Sequence, residues 1–252
     1  MKACRIQARR GRKSHEGVQD TGPLQQEIPR QVRQDKRILR EGAGQEAPAQ
    51  GPKDTDMTIE VDRISKSYDG KPVLTDFSLD ISQGSSYLIT GASGAGKTTL
   101  LRIILGLEQP DSGRVRLLGD YKYSRVNAGV VFQEDRLCPD FSAVQNVAMV
   151  SRRCSERIAR GELEHLLPAD ELDKPVRELS GGMRRRVCIV RACIIPSDVL
   201  IMDEPFAGLD ADNRKKCIDY IRANQGSEPL VITAHSSEGL SFCRSIPVRG
   251  RG

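Results

Sequence analysis

The chain has 252 residues, 38% of them hydrophobic, and a formal net charge of +5. Residues 1–56 hold 12 Lys or Arg against 8 Asp or Glu, a net of +4, which leaves +1 for residues 57–252. The basic character belongs to the N-terminal stretch and gives little support to nucleic-acid binding by the rest, so no direct nucleic-acid partner is expected. No apolar run approaches the ~18 residues of a membrane span; the best, Val187 to Ile195, is interrupted by Arg191. The basic start, Lys2 to Lys13, is not followed by an apolar core, which excludes a secretory signal there. Seven cysteines (Cys4, Cys138, Cys154, Cys188, Cys193, Cys217 and Cys243) include no C-x-x-C pair and read as reduced, mostly buried thiols in a cytosolic protein.

In chain order, residues 1–56 are rich in Gly, Pro, Gln and charge, a composition that buries too little apolar surface to offset ordering entropy. A disordered extension is expected there, with at most a transient basic helix over 31–40. Met57 opens the first strand-like alternation, Thr58-Ile59-Glu60-Val61, and is a candidate alternative start of the chain. From there strands are predicted at 58–64, 77–81, 86–90, 113–118, 128–132, 198–203 and 229–233. Helices are predicted at 97–107, 142–150, 155–166, 181–194, 211–224 and 236–242. The continuous apolar runs Val199-Leu200-Ile201-Met202 and Pro229-Leu230-Val231-Ile232 suit central parallel strands buried on both faces. The turn signals Asp69-Gly70 and Asp111-Ser112-Gly113 point to antiparallel strands near the start. The class expected is α/β, with a parallel core sheet, a small antiparallel β subdomain and a helical insertion at about 135–180.

Three stretches carry chemistry. Gly91-Ala92-Ser93-Gly94-Ala95-Gly96-Lys97-Thr98, with Thr99 behind it, sits between a short apolar run and a helical pattern, the context in which G-x-x-x-x-G-K-[ST] cradles phosphates. Lys97 would reach the β- and γ-phosphates, and the Thr98 hydroxyl would sit on Mg²⁺. The second stretch, Val199 to Pro205, buries a strand and presents Asp203 and Glu204 at its C-terminal end, where ligands of open α/β sheets collect. Asp203 suits Mg²⁺, and Glu204 suits accepting a proton from, or orienting, the water that attacks the γ-phosphate. The third is Ser180-Gly181-Gly182 opening a helix, followed by Arg184, Arg185 and Arg186. It reads either as a second anion site at a dipole's positive end or as a plain N-cap with solvated arginines.

These stretches, in this order, resemble the ATP-binding-cassette (ABC) ATPases, a P-loop NTPase family. Residues 91–98 look like its Walker A, 199–204 like Walker B, and 179–183 like its signature motif. The smaller motifs agree: Gln133 resembles the Q-loop glutamine, Gly208-Leu209-Asp210 the D-loop, His235 the switch histidine and Tyr68 the aromatic that stacks on adenine. The resemblance covers about 57–250. It implies ATP and Mg²⁺ as ligands and Glu204, His235, Gln133 and Lys97 as catalytic residues. Thr98, Gln133 and Asp203 would serve the metal, and Tyr68, residues 91–99, Ser180, Gly181, Gly182 and Asp210 the nucleotide.

The resemblance also implies partners. A second cassette, identical or homologous, would sandwich ATP head to tail. Separate permease subunits would supply the membrane path, with residues 135–147 lining the groove that receives them, and a substrate-binding protein is a further candidate. The segment is most similar to importer cassettes of the nitrate, sulfonate and taurine type, although Met183 stands where many relatives have Gln. With only a short stretch after His235, the C-terminal regulatory domain some importer cassettes carry is not expected. An importer ATPase peripheral to the inner face of the cell membrane is therefore the leading expectation. A soluble ABC ATPase of a non-transport machine, such as iron–sulfur cluster assembly, is the alternative.

Overall fold

The computed structural model describes residues 57–119, 121 and 125–248. The expectations for residues 1–56 lie outside the described residues. Strand β1 (Thr58–Tyr68) pairs antiparallel with β2 (Lys71–Ser82) on one side and β4 (Ser112–Leu118) on the other. Its alternation buries Ile59, Val61 and Ile64. The register shifts between Val61 and Ile64, where Arg63 takes a left-handed φ of 48°, as Asp76 does on β2. That is the extra-residue kink of a β-bulge.

The second sheet is parallel, in the order β5 (Ala128–Val131), β6 (Val199–Asp203), β7 (Leu230–Thr233), β3 (Ser86–Thr90), β8 (Arg244–Pro247). Every residue of β6 and β7 is buried, as their unbroken apolar runs predict. Alternate residues face opposite layers. Val199 and Ile201 pack with Ile89, α1 (Lys97–Ile104) and the antiparallel sheet. Leu200 and Met202 pack with α4 (Gly181–Ile194) and α5 (Ala211–Gln225). Between β5 and α4 lie α2 (Ala143–Ala148), α3 (Glu156–Leu163) and two 3₁₀ turns, Ala169–Glu171 and Val176–Glu178. Their apolar residues join the same layer as α4. Ser142 closes a capping box with Gln145 at the start of α2, and Ser155 caps α3 by accepting from Ile158 N.

One expected helix is absent, and one strand is additional. Residues 236–242 form turns, not a helix: Gly239 takes φ 73°, and its backbone sits so close to Ile218 that a Cβ would lie 2.8 Å from Ile218 Cδ1. Leu240 is buried there without helical support. Strand β8, pairing in parallel with β3 from Tyr87↔Arg244 to Thr90↔Pro247, was not anticipated. The strand at 86–90 and the helix at 181–194 keep their expected bounds, while others move: β1 runs on to Tyr68, β2 begins at Lys71 rather than 77, and α1 ends at Ile104 before Gly106, which takes φ 67°.

Candidate nucleotide site

β3 delivers the chain to the loop at Thr90, and α1 leaves it at Lys97. The α1 N-cap is Gly96, with φ 95° and no capping side chain, so the first-turn N–H groups face the loop. The residue has to be glycine: a Cβ would lie 2.7 Å from Val73 Cγ1. A Cβ at Gly91 would lie 2.6 Å from the Val248 carbonyl, so the loop passes tightly over the chain after β8. Ala92, Ser93 and Gly94 form its exposed crest, and Ala95 and Gly96 are buried beneath. Lys97, 6% exposed, reaches back so that its ammonium donates to the Gly91 carbonyl (2.8 Å) and the Ala92 carbonyl (3.0 Å).

A hydrogen-bonded chain runs beside the loop. The Thr98 hydroxyl donates to Asp203 Oδ2 at 2.7 Å. The Thr233 hydroxyl, fully buried, donates to Asp203 Oδ1 at 2.6 Å and accepts from the Glu204 N–H at 2.9 Å. Cross-strand register places these groups: Asp203 on β6 lies opposite Thr233 on β7. Glu204 takes a left-handed φ of 49°, a conformation that persists only where surroundings impose it. The Glu204 N–H also points at the Thr233 carbonyl (3.2 Å), so Thr233 fixes that turn by two acceptors. Glu204 Oε1 lies 2.9 Å from His235 Nε2, and His235 is 65% exposed on its side chain.

Gln133, just past β5, lines one cavity of about 50 Å³ together with Thr98, Asp203, Arg102 and Arg136. Thr98, Asp203 and Gln133 offer a hydroxyl, a carboxylate and an amide. An oxygen set with one carboxylate suits Mg²⁺, which keeps several waters and takes the rest from phosphates. Tyr68, 42% exposed, donates its hydroxyl to the Glu108 carboxylate and faces Thr99 on α1. Burial and the Glu108 bond push its phenol above the usual range.

The signature residues are not joined to this group: among the described residues no hydrogen bond links Ser180, Gly181 or Gly182 to the loop. Ser180 caps α4 by accepting from Met183 N at 3.2 Å, which is the plain reading of that serine. The solvated-arginine part of that reading fails, since Arg185 and Arg186 are 7% and 9% exposed. Gly182 lies against the next motif, where a Cβ would be 3.3 Å from Leu209 Cδ2. Asp210 caps α5 and accepts from the backbone and side chain of Asn213, which hold its carboxyl below the usual range. Sequence reading missed Thr233. Its only signal is a hydroxyl ending an apolar strand.

A glycine loop, lysine and hydroxyl at a helix start, facing a carboxylate at the end of a buried parallel strand, define the class: a P-loop nucleotide hydrolase. Within that class, a family model described as "ABC transporter" matches residues 74–207, and the chain belongs to this family, whose cassettes bind and hydrolyse ATP. It is 35% identical over 210 residues to the Nod factor export ATP-binding protein I of Paraburkholderia xenovorans, covering 78% of this chain and 69% of that one. It is 38% identical over 207 residues to the spermidine/putrescine import ATP-binding protein PotA of Spiroplasma citri, covering 77% and 59% respectively. The fold is similar to a dimeric post-hydrolysis state of the ATP-binding cassette MJ0796 bound to ADP and Pi, with TM-score 0.67, 25% identity, and 76% and 94% of the two chains covered.

Proposed function

We propose that the chain is the ATP-hydrolysing subunit of a membrane transporter, that it closes on ATP as a dimer with a second cassette, and that it drives import. The observation that supports this best is the unbroken run Thr98–Asp203–Thr233–Glu204–His235 beside Lys97. Lys97 exchanges two loop carbonyls for phosphate oxygens, and the free N–H groups of α1 add the positive end of a helix dipole. The Glu204 carboxylate, held by Thr233 through its backbone and beside His235, takes the proton of the attacking water or aligns it. His235 reaches the γ-phosphate from its exposed position. Tyr68 supplies a ring face to adenine. Ser180, Gly181, Gly182 and Asp210 serve the nucleotide of the opposite cassette; among the described residues none of them hydrogen-bonds to the loop of its own chain. Thr98, Asp203 and Gln133 would hold Mg²⁺, which would supply charge neutralisation on the phosphates.

Among the described residues no helix is long and apolar enough to cross a membrane, and in this reading separate permease chains supply the path. They dock at residues 135–147, where Phe141 is exposed, and the subunit sits on the inner face of the cell membrane. A substrate-binding protein belongs to the import reading. The likeness of residues 135–147 to importer cassettes supports import, while the relatives carry both export and import names. The test is purification from membranes followed by ATP-driven flux in inside-out vesicles. A permease that co-purifies, with substrate leaving the vesicle lumen, supports the reading. Accumulation inside reverses the direction, and recovery with a soluble scaffold alone refutes transport.

A further inference from the structure

We propose that Arg185 is a positioning residue that ties the Ser180 end of α4 to Gln133, so that each chain links the two nucleotide sites of a closed dimer. The proposal rests on the reading that Gln133 serves the metal and Ser180 the opposite nucleotide.

Four main-chain carbonyls just past β5 accept from side chains of α4. Arg185 donates from Nη1 to the Phe132 carbonyl at 2.6 Å and from Nη2 to the Gln133 carbonyl. Arg191, farther along the same helix, donates to the Arg136 carbonyl at 2.9 Å and the Asp135 carbonyl at 3.3 Å. The Cys188 thiol donates to that same Asp135 carbonyl at 2.9 Å, and burial pushes its pKa up to about 12, so it stays a donor. The Asp135 carboxylate lies 3.3 Å from Arg184 Nε and 3.6 Å from Arg185 Nη1. Carbonyls of an exposed loop ordinarily turn to water; here those of residues 132, 133, 135 and 136 accept from α4 side chains.

Arg185 is the member of this set that holds Gln133 itself. It is 7% exposed, so its bonds exchange little with water and gain from the low local dielectric. Its planar fork suits two neighbouring carbonyls, a task a lysine ammonium performs for one at a time. The segment it grips is under constraint. Arg136 takes a left-handed φ of 42°, and its guanidinium lies 3.9 Å from the centre of the Phe132 ring. Arg185 lies five residues past Ser180, about 7.5 Å along a helix. Over that length a helix moves as a rod. A shift of the Ser180 end, made when it meets the opposite nucleotide, therefore moves the Gln133 backbone, and with it the wall of the cavity shared with Thr98 and Asp203.

The test compares Gln133→Ala, Arg185→Met, Arg185→Lys and the Gln133→Ala/Arg185→Met pair, with steady-state ATPase measured across ATP and Mg²⁺ concentrations and thermal midpoints recorded alongside. Arg185→Met is expected to lower kcat about 10- to 100-fold, the scale of a small misplacement near the reacting groups, while KM for ATP changes less than about threefold. The Hill coefficient for ATP, near 2 for two linked sites, is expected to fall toward 1. Arg185→Lys recovers part of kcat. Added to Gln133→Ala, Arg185→Met costs no more than about twofold further, because both act through one group. A lowered thermal midpoint with unchanged kcat and Hill coefficient overturns the proposal, as does full additivity in the double variant. If Arg185→Met does not fold, Arg185→Lys decides by the same two readouts. A Gln133→Ala variant with normal turnover overturns the metal reading of Gln133 and the linkage together. An impaired Gln133→Ala beside a neutral Arg185 variant overturns the linkage alone.

Discussion

Replacing Thr233 by Val is the sharpest probe of the site, because it removes one hydroxyl and changes little else. Valine keeps the β-branch that suits strand β7 and nearly the same volume. The hydroxyl it removes donates to Asp203 Oδ1 at 2.6 Å and accepts from Glu204 N–H at 2.9 Å, at a position with no solvent exposure. A hydrogen bond to a charged group contributes about 1.5–3 kcal/mol, and water cannot easily replace this one. The Glu204 N–H keeps the Thr233 carbonyl at 3.2 Å, so its loss is partial. A stability loss of about 2–3 kcal/mol follows, read by urea unfolding at unchanged slope. Function changes too: among the described residues Asp203 retains Thr98 alone, on its other oxygen, and the left-handed turn at Glu204 loosens. The Mg²⁺ concentration for half-maximal ATPase therefore rises and kcat falls, while Thr233→Ser restores both. A Thr233→Val protein within about 0.5 kcal/mol of the parent, the range of changes remote from any special feature, and with its Mg²⁺ dependence intact would refute the reasoning.

Three further outcomes are expected. Lys97→Ala removes a charged donor to phosphate, so ATP affinity measured by calorimetry should fall at least about tenfold, the equivalent of one charge-assisted bond; unaltered affinity contradicts its role. Glu204→Gln should keep ATP binding, lower steady-state turnover by about 10²-fold or more, and elute as a dimer with ATP, whereas normal turnover rejects Glu204 as the base. Asp198 is held above the usual carboxylate range mainly by burial, and its Oδ2 has no hydrogen-bond partner among the described residues. A raised folded-state pKa means a charge penalty that is absent below the ordinary aspartate range and fully present above the raised value. Asp198→Asn should therefore be more stable than the parent at neutral pH and lose that advantage as pH falls through the acid range, and equal unfolding midpoints at pH 7 would contradict it.

The parts of the molecule that were legible in the sequence have side chains that carry their own evidence. The loop needs glycine at 91 and 96, lysine at 97 and a hydroxyl at 98 at fixed spacing, and β6 needs apolar residues on both faces before its acids. β8 has no such mark. Arg244-Ser245-Ile246-Pro247 contains one aliphatic residue, and the strand exists because β3 pairs with it along the main chain at an edge where proline is tolerated. Residues 236–242 misled in the opposite sense, since Leu240 and Phe242 are apolar but pack from turns around Gly239. The Arg184–Arg186 run reads as solvated because a row of like charges usually is. The burial of Arg185 and Arg186 depends on carbonyls 52–53 and 20 residues away in sequence respectively, which no local pattern announces. Thr233 was hidden for the same reason: only cross-strand register shows that it faces Asp203.

Several groups assigned a role in ATP hydrolysis have an internal partner in the single chain. Lys97 holds the carbonyls of Gly91 and Ala92, Thr98 holds Asp203, Glu204 lies against His235, and Ser180 caps its own helix. Binding nucleotide is therefore an exchange of partners, and its net free energy is the small difference between bonds lost and bonds gained rather than the sum of those gained. The exchange favours phosphate where charge is gained, as at Lys97, which trades neutral carbonyls for anionic oxygens. It favours it least at Ser180, whose hydroxyl already satisfies the Met183 N–H and can accept a second donor or turn its own proton outward. The signature serine is thus placed to add orientation more than affinity. On the proposed reading, closing the dimer has to draw its stability from the whole interface, with Ser180 reporting that closure to α4.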